Sequence, residues 1–159
     1  MAEGEHLSGQ QFQARVEKLV TRWSEGRTSL KQIVGMSDEE LFAVASQGYY
    51  LFLQGKIEQA RVIFEGLVAI DPKNAYYYRA LGVIYWRMKE AQKALKQFTY
   101  AIRVAPKDIS SYVNRAEVYV SAGHFSKARK DLGYVLEHAG HEELALVNKS
   151  RAILSMIPD

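Results

Sequence analysis

The chain has 159 residues, 48% of them hydrophobic and 25% charged, and its 21 lysines and arginines exceed its 18 aspartates and glutamates by a net +3. That is enough apolar material for one folded domain without metals or cross-links, and too small a basic excess to mark a nucleic-acid protein by itself. The absence of cysteine excludes a disulfide framework, a thiolate nucleophile and a cysteine-ligated metal or cluster, and fits a reducing cytosol.

The opening "MAEGEHLSGQQ" is polar and acidic, unlike a secretory leader, and no apolar run reaches membrane-spanning length. The expectation is a cytoplasmic chain with no direct membrane insertion. Phe12, Val16, Leu19, Val20 and Trp23 recur at helical spacing and predict an amphipathic helix that Gly26 ends. "TSLKQIV" suits a short second helix. In "SDEE", Ser37 stands three residues before Glu40, a capping box that starts the next helix. Soon after comes "GYYLFLQG" (48–55), with five bulky side chains in a row. One packing stripe cannot use them all.

Setting Pro72 and Pro106 in register aligns further residues at the same 34-residue offset: Gly48, Gly82 and Ala116; Leu51, Tyr85 and Tyr119; Ala60, Ala94 and Ala128; Phe64, Phe98 and Leu132. Each unit carries a small residue where two helices cross, a large side chain beside it, a second small residue on the partner helix, and a closing proline or glycine. These residues match the tetratricopeptide pattern. The best copy, "AYYYRALGVIYWRMKEAQKALKQFTYAIRVAPKD", has Tyr78, Leu81, Gly82, Tyr85, Ala94, Phe98, Ala101 and Pro106 at signature positions. The predicted fold is all-α, a superhelix of three helix-turn-helix repeats (41–74, 75–108 and 109–142, within 37–142). An N-terminal helical segment (1–36) precedes it, and a capping helix (143–159) carrying Leu144, Val147, Ile153 and Leu154 closes it. Four positions depart from the pattern. Gln47 and Arg115 replace an aliphatic residue, Lys89 stands where the other units have the turn glycines Gly55 and Gly123, and Gly140 replaces the closing proline.

In such a unit the first helix packs through positions 4, 7, 8 and 11, while positions 2, 5, 9, 12 and 13 form a second stripe. That stripe predicts a peptide-binding groove. It holds Phe42, Ala45, Tyr49, Phe52 and Leu53 in the first repeat, and Tyr76, Arg79, Val83, Trp86 and Arg87 in the second. The third adds Ser110, Val113, Glu117, Val120 and Ser121. A bare apolar surface of this size calls for a use. Two uses stay open: an extended peptide held by two or three apolar anchors, or cover by the N-terminal helices or a second subunit.

Sharper chemistries lack their residues. A clamp for C-terminal carboxylates needs lysine, asparagine and arginine where this chain has Ala45, Tyr49, Ser110 and Asn114. His138 and His141 are three apart, but Gly140 interrupts them at a unit boundary, so no metal site is expected. No phosphate loop, nucleophile elbow or acid pair appears, so neither enzyme activity nor a cofactor is expected. The basic run Lys127, Arg129 and Lys130 reads as a solvated helix face, and no nucleic-acid partner is expected.

The stretch from Gly26 to Asn74 joins "TSLKQIVGMSDEEL" to "QGKIEQARVIFEGLVAIDP". It resembles the class II chaperones of bacterial type III secretion, which guard hydrophobic translocator proteins, and the similarity runs over about residues 20–157. The resemblance implies a cytoplasmic bacterial holdase without catalytic activity, dimeric through its N-terminal helices. Its partner would be a secreted hydrophobic translocator, lying in the groove as an extended segment with prolines and leucines. Carried over by position, the anchor pockets involve Tyr49 and Phe52 with Phe42, Tyr76, Val83 and Trp86. The alternative is a general tetratricopeptide-repeat scaffold that binds peptides within a multiprotein complex.

Overall fold

Among the described residues of the computed structural model, 9–158 with the side chain of Phe12 excepted, every regular element is helical. Helix α1 (Gly9–Ser24) stops just before Gly26, whose φ of +69° only glycine adopts without strain. Ser29 then caps the short α2 (Leu30–Val34), with Gln32 completing a capping box that the sequence reading did not single out. Ser37 caps α3 (Asp38–Leu53) in the same way. Its hydroxyl accepts from the Glu40 amide at 3.1 Å, and the Glu40 carboxylate accepts from the Ser37 amide at 2.8 Å.

From there the chain forms three helical hairpins. Helix α3 pairs with α4 (Ile57–Ile70), α5 (Ala75–Arg87) with α6 (Ala91–Val104), and α7 (Ile109–Ser121) with α8 (Phe125–His138). A short 3₁₀ turn (His141–Glu143) leads into α9 (Leu144–Met156), which lies against both α7 and α8. Each hairpin turn needs one left-handed residue, supplied by Gly55 (φ +76°), Lys89 (φ +66°) and Gly123 (φ +72°). Lys89 takes that conformation with a Cβ, at a cost of about 1–2 kcal/mol.

Packing within the hairpins follows the 34-residue offset. Ala60, Ala94 and Ala128 are fully buried, and Phe64, Phe98 and Leu132 are buried beside them. A Cβ on Gly82 would lie 2.5 Å from the Phe98 ring, and one on Gly48 would lie 2.8 Å from Ile63 and 2.9 Å from Phe64. The helices therefore cross at distances that only glycine allows.

Arg115, one of the pattern's departures, has its reason on the next helix. Its Nε and Nη2 donate to both oxygens of Asp131 at 2.7 Å, and Nη1 donates to the Thr99 hydroxyl at 3.2 Å. Burial works against the charge, but the Asp131 contacts outweigh it and hold the guanidinium more firmly protonated than usual. The pair ties α7 to α8 and reaches α6. Because both ions are desolvated, it specifies geometry more than it adds net stability.

At the far end Tyr112 stacks on Tyr134 at 4.2 Å, and both hydroxyls donate to the Pro106 carbonyl, at 3.0 and 2.9 Å. His138 stacks on Tyr134 in turn, at 4.0 Å, while His141 is exposed. At the near end α1 is loosely attached. Val16, Val20 and Trp23 are 40%, 53% and 50% exposed, and the side chain of Phe12 lies outside the described residues.

Candidate functional site: an aromatic cleft across the first two hairpins

The surplus aromatic residues of α3 meet those of α5 in a cleft of about 160 Å³. Tyr49 and Phe52 form the α3 wall, and Tyr76, Arg79 and Val83 the α5 wall. Phe64 and Ile84 lie at the floor, and Asn114 of α7 closes one end. The spacing is helical arithmetic: residues three, four and seven apart share a face, so Tyr76, Arg79 and Val83 stand in one row.

The walls are pre-arranged. Tyr76 meets Phe64 edge-on, with centroids 6.1 Å apart and planes at 74°. The Arg79 guanidinium sits 5.8 Å from the Tyr76 ring centroid and pairs with Asp108, which removes a bare cation from the cleft. Burial pushes the Tyr76 phenol above its ordinary value, so it is a neutral hydroxyl at physiological pH. The result is a mainly apolar slot whose polar groups are the Tyr49 and Tyr76 hydroxyls, the paired Arg79 and the Asn114 amide. It suits apolar side chains presented by an extended chain, whose backbone can bond to Tyr hydroxyls and the Asn114 amide.

The remaining stripe residues fall elsewhere. Phe42 is 70% exposed near the start of α3, and Leu53 is 63% exposed at its end. Both flank the cleft without lining it. Arg87 is exposed at the end of α5, and Ser110 and Ser121 lie at the two ends of α7. Trp86 is half-buried against the main core cluster.

Two expectations need correction. Ala45 is 1% exposed and Val113 fully buried. Ala45 belongs to the main core cluster and Val113 packs with Val135 of α8 and Leu146 of α9, so neither can touch a ligand. Glu117 and Val120 stay partly exposed, on a part of α7 that α9 borders. Glu117 pairs with Lys149 of α9 at 2.9 Å, and Val120 packs with Ala116, Leu132, Ile153 and Ile157. The stripe of the third repeat is thus largely spent on the C-terminal helix.

Four lining residues, Phe64, Ala80, Ile84 and Asn114, escaped the sequence reading as site residues. Phe64 was read only as core, and Asn114 only as a mismatch to a carboxylate clamp. Asn114 lies one residue after Val113, within the third repeat, and its position at the cleft's end depends on how far the second hairpin is rotated on the third.

No protein-family model matches the sequence. Solved structures do match the fold. The type III secretion translocator chaperone SycD of Yersinia enterocolitica superposes with a TM-score of 0.77 at 20% identity, covering 82% of this chain and 98% of that one. SycD in complex with a peptide of the translocator YopD gives 0.72 at 21% identity, over 76% and 94% of the two chains. PcrH of Pseudomonas aeruginosa, in complex with the chaperone binding region of PopD, gives 0.73 at 22% identity, over 77% and 94%. At these identities the likeness establishes the fold: an all-α tetratricopeptide-type array like that of the translocator chaperones.

Proposed function

We propose that this chain is a cytoplasmic secretion chaperone, a non-catalytic holdase that keeps a hydrophobic translocator protein soluble by holding an extended segment of it in the α3–α5 cleft. The observation that carries this reading is the cleft itself. Its walls are largely aromatic, its one arginine is already neutralised, and Tyr49 and Tyr76 stay exposed above a floor that belongs to the core. The shared fold supports it, since SycD and PcrH are seen with translocator peptides. Each fully buried anchor contributes about 1.5–3 kcal/mol, much of it offset by ordering the peptide, so micromolar affinity is expected. The exposed apolar side chains of α1, Val16, Val20 and Trp23, support self-association through the N-terminal segment as part of the same reading.

The test is co-expression with candidate membrane-active secreted proteins, followed by titration of the segment that co-purifies. Tyr49→Ala and Tyr76→Ala should each weaken binding by about 1–3 kcal/mol, or 5- to 150-fold, without early melting. Phe98→Ala serves as the core control and should lose about 3–5 kcal/mol of stability. Phe64 is a poorer control because it also lines the cleft. If no hydrophobic client becomes soluble, or if both tyrosine variants bind as tightly as the parent, the reading fails.

A further inference from the structure

On the face carried by the second helices of the hairpins, α6, α8 and the end of α7 enclose a separate cleft of about 450 Å³. Lys96 and Arg103 of α6 and Lys127 of α8 line it, with Gln92 and Thr99 between them and no acidic side chain among the lining residues. Nearby carboxylates are already engaged: Glu90 with Lys93, Glu117 with Lys149, and Asp131 with Arg115. Among the described residues none of the three lining cations has an ion-pair partner.

All three are exposed and lie over two tyrosine rings. Lys96 and Arg103 flank the Tyr100 ring, 5.9 and 5.7 Å from its centroid, and Lys127 lies 5.6 Å from that of Tyr119. Three cations are therefore drawn towards aromatic supports, by about 0.5–1 kcal/mol each, without being neutralised. We propose that this cleft is a second binding site, one that takes an acidic peptide segment of a partner protein.

Its dimensions and chemistry favour a peptide over nucleic acid. Gln92 to Arg103 spans eleven residues of helix, about 16 Å, which matches about five residues of extended chain. Single-stranded nucleic acid needs open aromatic faces on which bases stack. Here the rings are taken: Tyr100 also packs on Tyr78 at 5.6 Å, and Tyr119 also carries Arg115 and His124. What the cleft still offers is unpaired positive charge and side-chain donors, which carboxylates on a flexible chain satisfy. The site shares no lining residue with the aromatic cleft, so a client and an acidic partner could be held together.

The experiment is fluorescence anisotropy at 50 mM salt with a labelled decapeptide of alternating glutamate and serine. The same peptide with glutamine for glutamate and a twelve-residue oligothymidylate serve as comparisons. The acidic peptide should bind and the glutamine peptide should not. Lys96→Glu, Arg103→Glu and Lys127→Glu combined should weaken binding at least about ten-fold, because each cation contacts the ligand directly. A charge-matched control, Lys56→Glu, Lys73→Glu and Lys107→Glu, should change it less than about three-fold, since distant exposed charges are screened. If the reversal variant does not fold, the triple glutamine variant at the same three positions takes its place. Equal loss in the control, tighter binding of the oligonucleotide, or no binding of the acidic peptide would each overturn the proposal.

Discussion

Two glycines inside helices, Gly66 of α4 and Gly82 of α5, should respond in opposite ways to the same change. Replacing either by alanine improves helix propensity by about 1 kcal/mol. Around Gly66 no atom lies within 4 Å of the new Cβ, so that gain should appear undiminished. At Gly82 the Cβ would sit 2.5 Å from the Phe98 ring, whereas ordinary contact begins at 3.4 Å. The difference, 3.4 − 2.5, requires a ring that is 1% exposed to move by about 0.9 Å or the hairpin to open by as much. Overpacking of this kind costs about 1–3 kcal/mol. Gly82→Ala should therefore be less stable than Gly66→Ala by about that amount, and the comparison cancels the propensity term. Urea unfolding followed by circular dichroism measures both, with an unchanged m-value as the check that only the native state is affected. A second arm removes the obstacle. In a Phe98→Leu background the Gly82→Ala penalty should shrink, giving a coupling between the two sites. Equal stabilisation by both alanines would refute the close helix crossing on which the repeat register rests.

Lys89→Gly should stabilise the chain by about 1 kcal/mol, since it relieves a left-handed residue with a side chain; the net is read from the same urea transitions. Arg115→Met leaves the Asp131 carboxylate buried and uncompensated and should cost about 3 kcal/mol, while Arg115→Met with Asp131→Leu should recover most of that loss in a thermal melt. For Glu65, burial raises the carboxyl, but hydrogen bonds from Tyr85 and Arg61 outweigh it and lower it from its ordinary value of 4.5. The folded state then binds fewer protons than the unfolded one, so this contribution is present above about pH 4.5 and is lost as pH falls through the lowered folded value. A Glu65→Gln variant should flatten the acid limb of a stability-against-pH curve, and an unchanged limb would show that the carboxylate is not what the two donors serve.

The fold could be read far into the chain because the crossing glycines and alanines repeat at a fixed interval, and only helices that touch closely need them. The same interval set Tyr49, Phe52, Tyr76, Arg79 and Val83 on one stripe, and these five share the cleft walls. What a single repeat cannot reveal is how neighbouring units are rotated on each other. Ala45, Arg79 and Val113 hold the same unit position, yet only Arg79 lines the cleft while the other two are buried, so the surroundings and not the position decide. The third repeat differs for another reason. Its stripe is not free, because α9 folds back onto α7, and nothing local in "EELALVNKSRAILSMI" says which of the two faces of the last hairpin it will cover. Arg115 was visible as an oddity, but Asp131, sixteen residues on, could be named as its partner only once the angle between α7 and α8 was known.

The two ends of this array are not alike. The last hairpin is braced by α9, the Arg115–Asp131 pair and the stacked tyrosines, whereas the first is followed by α5 on one side and, among the described residues, has the small α2 and a loosely held α1 on the other. In a linear array each unit draws its stability from itself and from its immediate neighbours. The first hairpin is then the segment that opens at lowest free energy, and it carries half of the aromatic cleft. A chain laid across Tyr49 and Phe52 on one wall and Tyr76 and Val83 on the other would act as a splint, joining the weakest unit to the second. Occupancy would be felt well beyond the cleft walls, as slower amide exchange along all of α4, and the protein's own lifetime against proteolysis would come to depend on whether the cleft is filled.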